Sequence, residues 1–383
     1  MGIDTPTSIQ ERSIPALLAG RDVIGQAQTG SGKTLAFGLP LMERCDAQQR
    51  HVQALILTPT RELAKQVGEV LTDLGKSAGI SVALIYGGRP FGPQEASLTR
   101  GAQVVVGTPG RILDHLKRRT LRLERLRMLI LDEADEMLDQ GFAPDVERIL
   151  ALTPRSRQTA LFSATIPPWV QKIKARHLTD PEVLMSEEGD GSDPDIEHVV
   201  MEAYTEDKFK LLLGLLAEPV EGGTLVFGRT KRGVRNLGQR LQNAGHQVAV
   251  LQGNLDQNAR DRAMEQFRSG RVPILVATNV AARGLDILHI ARVINYELPE
   301  THELFTHRVG RTGRMGRSGR AITLVSATDL TKWQAIERGL ERKLPRVSPN
   351  GSPIAPRPQA ASSRRTSSSW GRRGWPRRRV LSR

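Results

Sequence analysis

The stretch AQTGSGKT at residues 27–34 decides the fold class, because of the segments that flank it. The short apolar run DVIG precedes it at residues 22–25, and the helical pattern LAFGLPLM follows it at residues 35–42. A strand, a glycine-rich loop and a helix in this order form a phosphate-binding unit of α/β proteins. The sequence therefore predicts a nucleotide site near the amino terminus of an α/β fold.

The residue types within this loop match the chemistry of phosphate binding. Gly30 and Gly32 let backbone N–H groups face a phosphate, and Lys33 can reach its outer oxygens. Thr34 can ligate Mg²⁺ at the N-terminus of the helix. The strict phosphate-loop pattern has glycine where Ala27 stands. We expect the nucleotide to be held by the whole loop: Ala27, Gln28, Thr29, Gly30, Ser31, Gly32, Lys33 and Thr34.

Outward from the loop, the chain repeats the same alternation of strand and helix. Short runs rich in Val and Ile alternate with amphipathic segments, which indicates parallel sheets covered by helices on both faces. The acidic stretch SEEGDGSDP at residues 186–194 has no period and reads as a linker, after which the alternation restarts. We predict these units: a first domain at residues 1–185, a linker at 186–197, a second domain at 198–345 and a disordered tail at 346–383.

Charge is concentrated in the predicted tail. The chain has 383 residues and a net charge of +14, and the tail holds ten arginines with no lysine or acid, which leaves +4 for the rest. Its prolines and serines and its scarcity of β-branched and aliphatic residues predict disorder. Arginines that flank Trp370 and Trp375 suit phosphate pairing and base stacking on single-stranded nucleic acid. A solubilising tail is the other interpretation.

Cysteine usage and hydropathy exclude several classes of protein. The single cysteine, Cys45, excludes a disulfide framework and any cysteine-based zinc or iron–sulfur site. No apolar run approaches the roughly 18 to 20 residues that span a bilayer. The amino terminus is polar and has no signal pattern. We therefore expect a cytoplasmic protein without membrane contact.

A second candidate site element is LILDEAD at residues 129–135, an apolar strand that ends in acids. Ligands bind at the carboxyl ends of strands in open α/β sheets, so these acids should face the same crevice as Lys33. Asp132 is positioned to hold Mg²⁺, and Glu133 to orient and deprotonate the attacking water. Acids after a strand also cap the next helix, but that interpretation accounts for one acid and not for three.

The third element is VGRTGRMGRSGR at residues 309–320. A low-complexity segment and a solvated basic face are competing interpretations, but neither fits a position between two strand-like runs. If the run begins as a helix, His307, Arg311 and Arg314 share one face at i, i+4 and i+7. Arg311 and Arg314 would then act as arginine fingers on a γ-phosphate when the domains close.

With these motifs in this order, the sequence resembles the DEAD-box family of ATP-dependent RNA helicases, from Gly2 to about Leu344. The resemblance implies two tandem RecA-like domains, each a parallel sheet flanked by helices, that close around Mg-ATP and single-stranded RNA. It implies that Gln10 of PTSIQ bonds adenine, and that Gly284 and Asp286 of ATNVAARGLDI contact ATP.

The same resemblance assigns RNA contacts and coupling residues. The implied contacts to the RNA backbone are Pro59, Thr60, Arg61, Gly88, Thr108, Pro109, Gly110, Arg111, Arg260 and Thr278. The residues implied to couple the ATP site to strand separation are Asp135, Ser163, Thr165 and His307. Recognition through the backbone and 2′-hydroxyls would favour RNA over DNA without reading sequence.

Two positions depart from the family pattern. No aromatic residue stands upstream of PTSIQ to stack on adenine, so either the start is misassigned or nucleotide affinity is weakened. Asn279 stands where the family commonly has Asp, which affects one interdomain hydrogen bond.

Three functions follow from these motifs, and the first is the leading hypothesis. It is a monomeric RNA-dependent ATPase that locally separates short RNA duplexes or remodels RNA–protein complexes. The alternatives are an ATP-gated RNA-binding clamp or annealing chaperone with negligible turnover, and a DNA-directed motor of the same superfamily. Glu133 and the two arginines argue against the clamp, because a pure clamp needs no water-activating base.

Overall fold

The computed structural model describes residues 5–27, 30–185, 195–282, 287, 289–313 and 317–347. Its strands form two seven-stranded sheets, one in each half of the chain. Every strand pairing among these residues is parallel. The predicted α/β class with two tandem RecA-like domains is therefore confirmed.

The first domain alternates strands and helices along the chain. Its strands are β1 Val23–Gln26, β2 Ala54–Leu57, β3 Val82–Ile85, β4 Val104–Gly107, β5 Met128–Asp132, β6 Gln158–Ser163 and β7 Glu182–Met185. Its helices are α1 Ser8–Leu18, α2 Lys33–Arg44, α3 Arg61–Ala78, α4 Phe91–Thr99, α5 Pro109–Lys117, α6 Ala134–Asp139, α7 Ala143–Ala151 and α8 Pro168–His177. The strands lie in the order β3-β4-β2-β5-β6-β1-β7.

The second domain repeats this plan. Its strands are β8 Ile196–Glu202, β9 Gly223–Gly228, β10 Val248–Leu251, β11 Ile274–Thr278, β12 Ile290–Asn295, β13 Gly319–Val325 and β14 Arg346–Val347. Its helices are α9 Lys208–Ala217, α10 Lys231–Asn243, α11 Gln257–Arg268, α12 Asn279–Ala282, α13 His302–Val309 and α14 Leu330–Gly339, with a 3₁₀ turn at Ala327–Asp329. The strand order is β10-β11-β9-β12-β13-β8-β14. None of the helices described in either domain is long and apolar enough to cross a membrane.

The first sheet is buried on both faces, which explains why its strands are continuous apolar runs. In β2 the side chains of Leu55 and Leu57 join one hydrophobic cluster, and those of Ala54 and Ile56 join the other. Successive residues of a strand point to opposite faces, so both faces need an apolar residue. Helices α1 to α3 cover one face, and α5, α7 and α8 cover the other.

The sheet places the predicted motifs of the first domain along a single edge. Each motif follows or ends a strand: residues 27–34 follow β1, 59–63 follow β2, 87–88 follow β3, 108–111 follow β4, 132–135 end β5 and 163–165 end β6. Because all these strands run in the same direction, their carboxyl ends meet at one edge. That edge is the floor of the candidate site.

Three boundaries differ from the prediction. Strand β8 begins at Ile196, inside the predicted linker, because it pairs with β13 from that residue onward. The predicted tail begins two residues too early, since Arg346 and Val347 pair with β8 as β14. Helix α13 ends at Val309, so the predicted helical face does not extend to Arg311. The rest of the tail, residues 348–383, lies outside the described residues.

Candidate functional site

The phosphate loop lies between β1 and α2, as the sequence predicts. Gly32 precedes α2 at φ +88°, in the left-handed region, and a Cβ there would lie 2.5 Å from Nε2 of Gln10. Glycine is therefore required at this position by both backbone and space. Lys33 opens α2, is buried, and donates from Nζ to the carbonyl of Ala27 at 3.0 Å. A lysine ammonium therefore lies against the carbonyl of Ala27, beside the N-terminus of a helix, an arrangement that attracts anions.

Gln10, the expected adenine contact, is tied to the same loop. Its Oε1 accepts a hydrogen bond from the backbone N–H of Thr7 at 3.0 Å, and its Nε2 donates to the carbonyl of Gly32 at 3.1 Å. The hydroxyl of Thr7 donates to the carbonyl of Ser31 at 2.8 Å. A glutamine amide has two donors and two lone pairs, so one of each is left for a base. The role of Gln10 toward adenine stays a prediction.

Asp132 and Glu133 lie where β5 ends, at the middle of the edge. Burial raises the pKa of Asp132 to about 7, and Glu133 adds to this rise while Lys33 opposes it. Oδ1 of Asp132 and Oε2 of Glu133 are buried and have no hydrogen-bond partner among the described residues. A buried carboxylate oxygen without a donor is costly. Such oxygens fit a site that is completed by a cation or by a hydrogen-bonding ligand.

Asp135 connects the end of β5 to the end of β6. Its Oδ2 accepts hydrogen bonds from the backbone N–H and the hydroxyl of Thr165 at 2.9 and 3.0 Å. Its own N–H donates to Oγ of Ser163 at 3.1 Å. The three predicted coupling residues of the first domain are therefore in direct contact.

His307, the predicted coupling residue of the second domain, contacts the first domain. Its Nδ1 lies 2.7 Å from Oε1 of Glu136 in α6. Burial lowers the pKa of His307, but the hydrogen bond and charge of Glu136 and the charge of Asp135 outweigh burial and the charge of Arg311, so the pKa is raised. The sequence motifs assigned no contact to Glu136. The pair links the acidic motif to the domain that carries the arginine motif.

Arg311 is buried beside this contact, although it is not on α13. Its Nε donates to the carbonyl of His307 at 3.2 Å, and it lines a small cavity together with Asn279 and Arg308. Five predicted site residues lie outside the described residues: Gln28, Thr29, Gly284, Asp286 and Arg314.

Asn279, the departure noted in the sequence, binds the buried Arg308 of the same domain, so the hydrogen bond described here is not the expected interdomain one. Nε of Arg308 donates to Oδ1 of Asn279 at 2.5 Å, and Nη1 donates to Oδ1 of Asn295 and the carbonyl of Glu297 at 3.0 and 2.6 Å. All three acceptors are neutral. Burial lowers the pKa of Arg308, and the charges of Glu297 and Glu300 offset this only in part.

The predicted RNA contacts gather at an open groove of about 400 Å³ between the two domains. Seven of the ten predicted residues line it: Pro59, Thr60, Arg61, Thr108, Gly110, Arg111 and Arg260. Gly88, Pro109 and Thr278 are not among its lining residues, although Gly87 and Val280 are. The groove takes its walls from both domains, so it is complete only when the domains are together.

Polar contacts between α3 and α11 hold the two walls of the groove. Nε and Nη2 of Arg260 donate to Oε1 of Glu62 at 2.8 and 2.5 Å, and Nη1 of Arg61 donates to Oε1 of Gln257 at 2.8 Å. Arg260 therefore serves as a link between the domains in this structure, a role that sequence reasoning did not assign. No local sequence pattern around Arg260 or Glu62 indicates that these two residues pair.

Comparisons with known proteins agree with this arrangement. The sequence model of the DEAD/DEAH box helicase family matches residues 7–173, and that of the helicase conserved C-terminal domain matches residues 207–316. The DEAD-box ATP-dependent RNA helicase CshA of Geobacillus kaustophilus is 44% identical over 349 residues, which cover 91% of this chain and 75% of that protein. The RNA helicase CrhR of Synechocystis is 44% identical, over 90% of this chain and 70% of that protein.

A solved structure shares the architecture of both domains. S. cerevisiae Dbp5 bound to RNA and ADP BeF3 superposes with a TM-score of 0.83 at 35% sequence identity, covering 90% of each chain. The chain belongs to the DEAD/DEAH box helicase family.

Proposed function

We propose that this chain is an RNA-dependent ATPase that uses Mg-ATP to separate short RNA duplexes or to remodel RNA–protein complexes. The observation that supports this most directly is that both sites are built from both domains. The groove takes Arg111 from the first domain and Arg260 from the second, and His307 reaches from the second domain to the acidic motif of the first. Closure of the domains would therefore complete both sites at once.

The nucleotide half of the proposal rests on four residues. Lys33 would pair with the outer phosphates, since its ammonium donates to the carbonyl of Ala27, which directly follows β1. Asp132 and Thr34 would hold Mg²⁺, and the unpartnered Oδ1 of Asp132 fits that role. The ion would neutralise phosphate charge. Glu133 would accept a hydrogen bond from the attacking water and take up its proton.

The arginine motif would complete the phosphate site from the other domain. Arg311 lies just after α13, and its Nε donates to the backbone carbonyl of His307, whose side chain contacts Glu136 of the first domain. A guanidinium delivered in this way would stabilise the charge that develops on the transferred phosphoryl group. Arg314 would supply a second guanidinium by its place in the motif.

The RNA half of the proposal rests on the composition of the groove. Its lining combines Arg61, Arg111 and Arg260 with Gly87 and Gly110, and one of its two acids, Glu62, is paired with Arg260. Cationic side chains and backbone N–H groups recognise phosphates and sugars and carry no sequence information. We therefore propose sequence-independent binding of single-stranded RNA. A cytoplasmic location and a monomeric state stay predictions.

The alternative of an ATP-gated clamp with negligible turnover is not favoured. A clamp would need the groove and the contact between the domains but no base. Glu133 is present at the end of β5 with an unpartnered carboxylate oxygen, as hydrolysis requires.

Steady-state ATP hydrolysis by the full chain tests the proposal. The reaction is run without nucleic acid, with single-stranded RNA and with DNA of the same sequence, and Lys33→Ala serves as the blank for contaminating ATPases. We expect stimulation by RNA alone. Equal stimulation by DNA would favour a DNA-directed motor, and ATP-dependent RNA binding without turnover would favour the clamp.

A further inference from the structure

Phe91 is an aromatic residue in direct contact with Arg111, a predicted RNA contact, and the sequence assigns no role to it. It opens α4, directly after the loop that carries Gly88 and Arg89. Its half-buried ring lies under the guanidinium of Arg111, with Cζ 4.1 Å from the ring centroid, and under that of Arg118, with Cζ at 3.7 Å. An arginine over an aromatic face is held by attraction to the ring quadrupole.

The same loop holds Arg111 by a second contact. Nη1 of Arg111 donates to the backbone carbonyl of Arg89 at 2.9 Å. The ring and this carbonyl fix the plane and one edge of the guanidinium, which leaves its other N–H groups to face the groove. A long side chain that is fixed before binding loses less rotamer entropy when it pairs with a phosphate.

The electrostatic surroundings show why such support is needed. Burial and the nearby charges of Arg61 and Arg118 lower the pKa of Arg111, and only Asp114 opposes them. Like charges push an unsupported guanidinium away from the others and toward solvent. The ring opposes this movement without adding a negative charge that would compete with phosphate.

The loop itself is anchored on both sides. Nε2 of Gln94 donates to the carbonyls of Tyr86 and Pro90 at 3.2 and 3.3 Å, which fixes the shape of the loop. The side chain of Arg89 pairs with Asp261 of α11, in the second domain. The residue whose carbonyl holds Arg111 is therefore docked across the groove.

We propose that Phe91 is a positioning residue for RNA binding, whose ring, together with the carbonyl of Arg89, holds the guanidinium of Arg111 toward a phosphate in the groove. The proposal rests on the function proposed above, in which Arg111 contacts the RNA backbone. Phe91 itself need not touch RNA.

Two substitutions at this position separate the ring face from its bulk. Phe91→Leu keeps an apolar side chain but removes the π face, and Phe91→Tyr keeps the face. The affinity of each full-length variant for a short single-stranded RNA is measured with a non-hydrolysable ATP analogue. We expect Phe91→Leu to weaken binding by roughly two- to fivefold, the value of a partly exposed cation–π contact, and Phe91→Tyr to restore it.

A matched control lies in the second domain. Arg240 covers the ring of Phe209 with Cζ at 3.7 Å from the centroid, away from the residues that line the groove. Phe209→Leu removes an equivalent contact, and we expect it to leave RNA affinity unchanged. An equal loss from Phe209→Leu would overturn the proposal, because it would show a general effect on stability.

A double-mutant cycle with Arg111→Ala tests whether Phe91 acts through Arg111. We expect the effect of Phe91→Leu to vanish when Arg111 is absent. If Arg111→Ala weakens RNA binding but Phe91→Leu does not, the positioning role is wrong and the proposed function stands. If Arg111→Ala has no effect, the RNA contact assigned to Arg111 by the proposed function is wrong. Additive losses would mean that Phe91 acts independently of Arg111.

Discussion

At the scale of single residues, the backbone of Glu133 is the most unusual feature of the nucleotide site. It lies at φ +51° and ψ +56°, the left-handed region, between the end of β5 and the start of α6. A residue with a Cβ pays roughly 1 kcal/mol or more in this region. The sharp turn lets the chain leave the sheet at once, so that Asp132 and Glu133 both remain at the edge while Asp135 points to β6.

The substitution Glu133→Gln should keep binding and abolish turnover. Glutamine has the same shape and tolerates the same backbone, but it cannot take a proton from water. We expect near-normal affinity for ATP and RNA and a fall in the hydrolysis rate of about 10²-fold or more. Glu124→Gln, at an exposed acid of the same domain, serves as the control. Substantial hydrolysis by Glu133→Gln would contradict the assignment of the base.

Asn279→Asp should stabilise the second domain. Arg308 is 2% exposed, and its hydrogen-bond acceptors among the described residues are all neutral, so a carboxylate at position 279 would add a charge-assisted bond. We expect a gain of about 1 kcal/mol, seen as a higher melting temperature by calorimetry. Asn279→Ala should act in the opposite direction, because it leaves a guanidinium N–H without its partner. A lower melting temperature for Asn279→Asp would show that the cavity cannot hold a second charge.

At the scale of elements, the short edge strand β14 shows how the second sheet ends. The guanidinium of Arg346 pairs with Oε1 of Glu202 at 2.9 Å and with Oε2 of Glu337 at 2.8 Å. The carbonyl of Pro345 accepts a hydrogen bond from the N–H of Val200 at 2.9 Å. A segment of two residues is therefore fixed to β8 and α14 by one arginine between two acids.

Two truncations test this anchor. A chain that ends at Val347 should melt at the same temperature as the full chain. A chain that ends at Pro345 should lose about 1–3 kcal/mol in the second domain, because the largely buried Glu337 loses its cation. Calorimetry of both chains measures the difference. Equal melting temperatures would show that β14 contributes nothing to stability, and a drop for both would indicate a contribution from residues beyond Val347.

At the scale of the whole molecule, the contacts between the domains include two regions besides the pairing of Arg89 with Asp261. One lies between α3 and α11, where Arg260 binds Glu62 with both side chains largely buried. The other joins His307 to α6. There, a ring nitrogen of His307 and one carboxylate oxygen each of Glu136 and Asp139 lie within 4.8 Å of one another. Both regions are polar, which is typical of surfaces that separate and meet again during a functional cycle.

Closure of the domains should weaken as the pH rises. The pKa of His307 is raised in the closed arrangement, so protonation favours that arrangement. This contribution is fully present below the ordinary histidine pKa of about 6.5 and is lost as the pH passes through the raised value. Energy transfer between dyes on the two domains, with RNA and an ATP analogue, measures the closed fraction. His307→Asn should remove the pH dependence in this range, and an unchanged profile would assign it to another group.

The sequence by itself determined the α/β class, the two domains and the phosphate loop. These features depend on short-range patterns, because a buried strand needs a continuous apolar run and a phosphate loop needs glycines at fixed spacing. Asp132 and Asp135 could be placed at one edge from the parallel order of the strands, whereas the place of Ser163 came from the resemblance to a family. The roles assigned to RNA contacts came from the resemblance to a family and stay predictions.

The tertiary structure alone decided which charged residues meet across the domains. The pairing of Glu136 with His307 and of Glu62 with Arg260 joins residues 171 and 198 positions apart. Nothing local marks such residues, because an exposed acid and one that meets a cation in another domain have the same sequence pattern. The sequence does not indicate the stacking of Arg111 on Phe91 for the same reason. This contact depends on how α4 and α5 pack against each other and not on the local sequence of either helix.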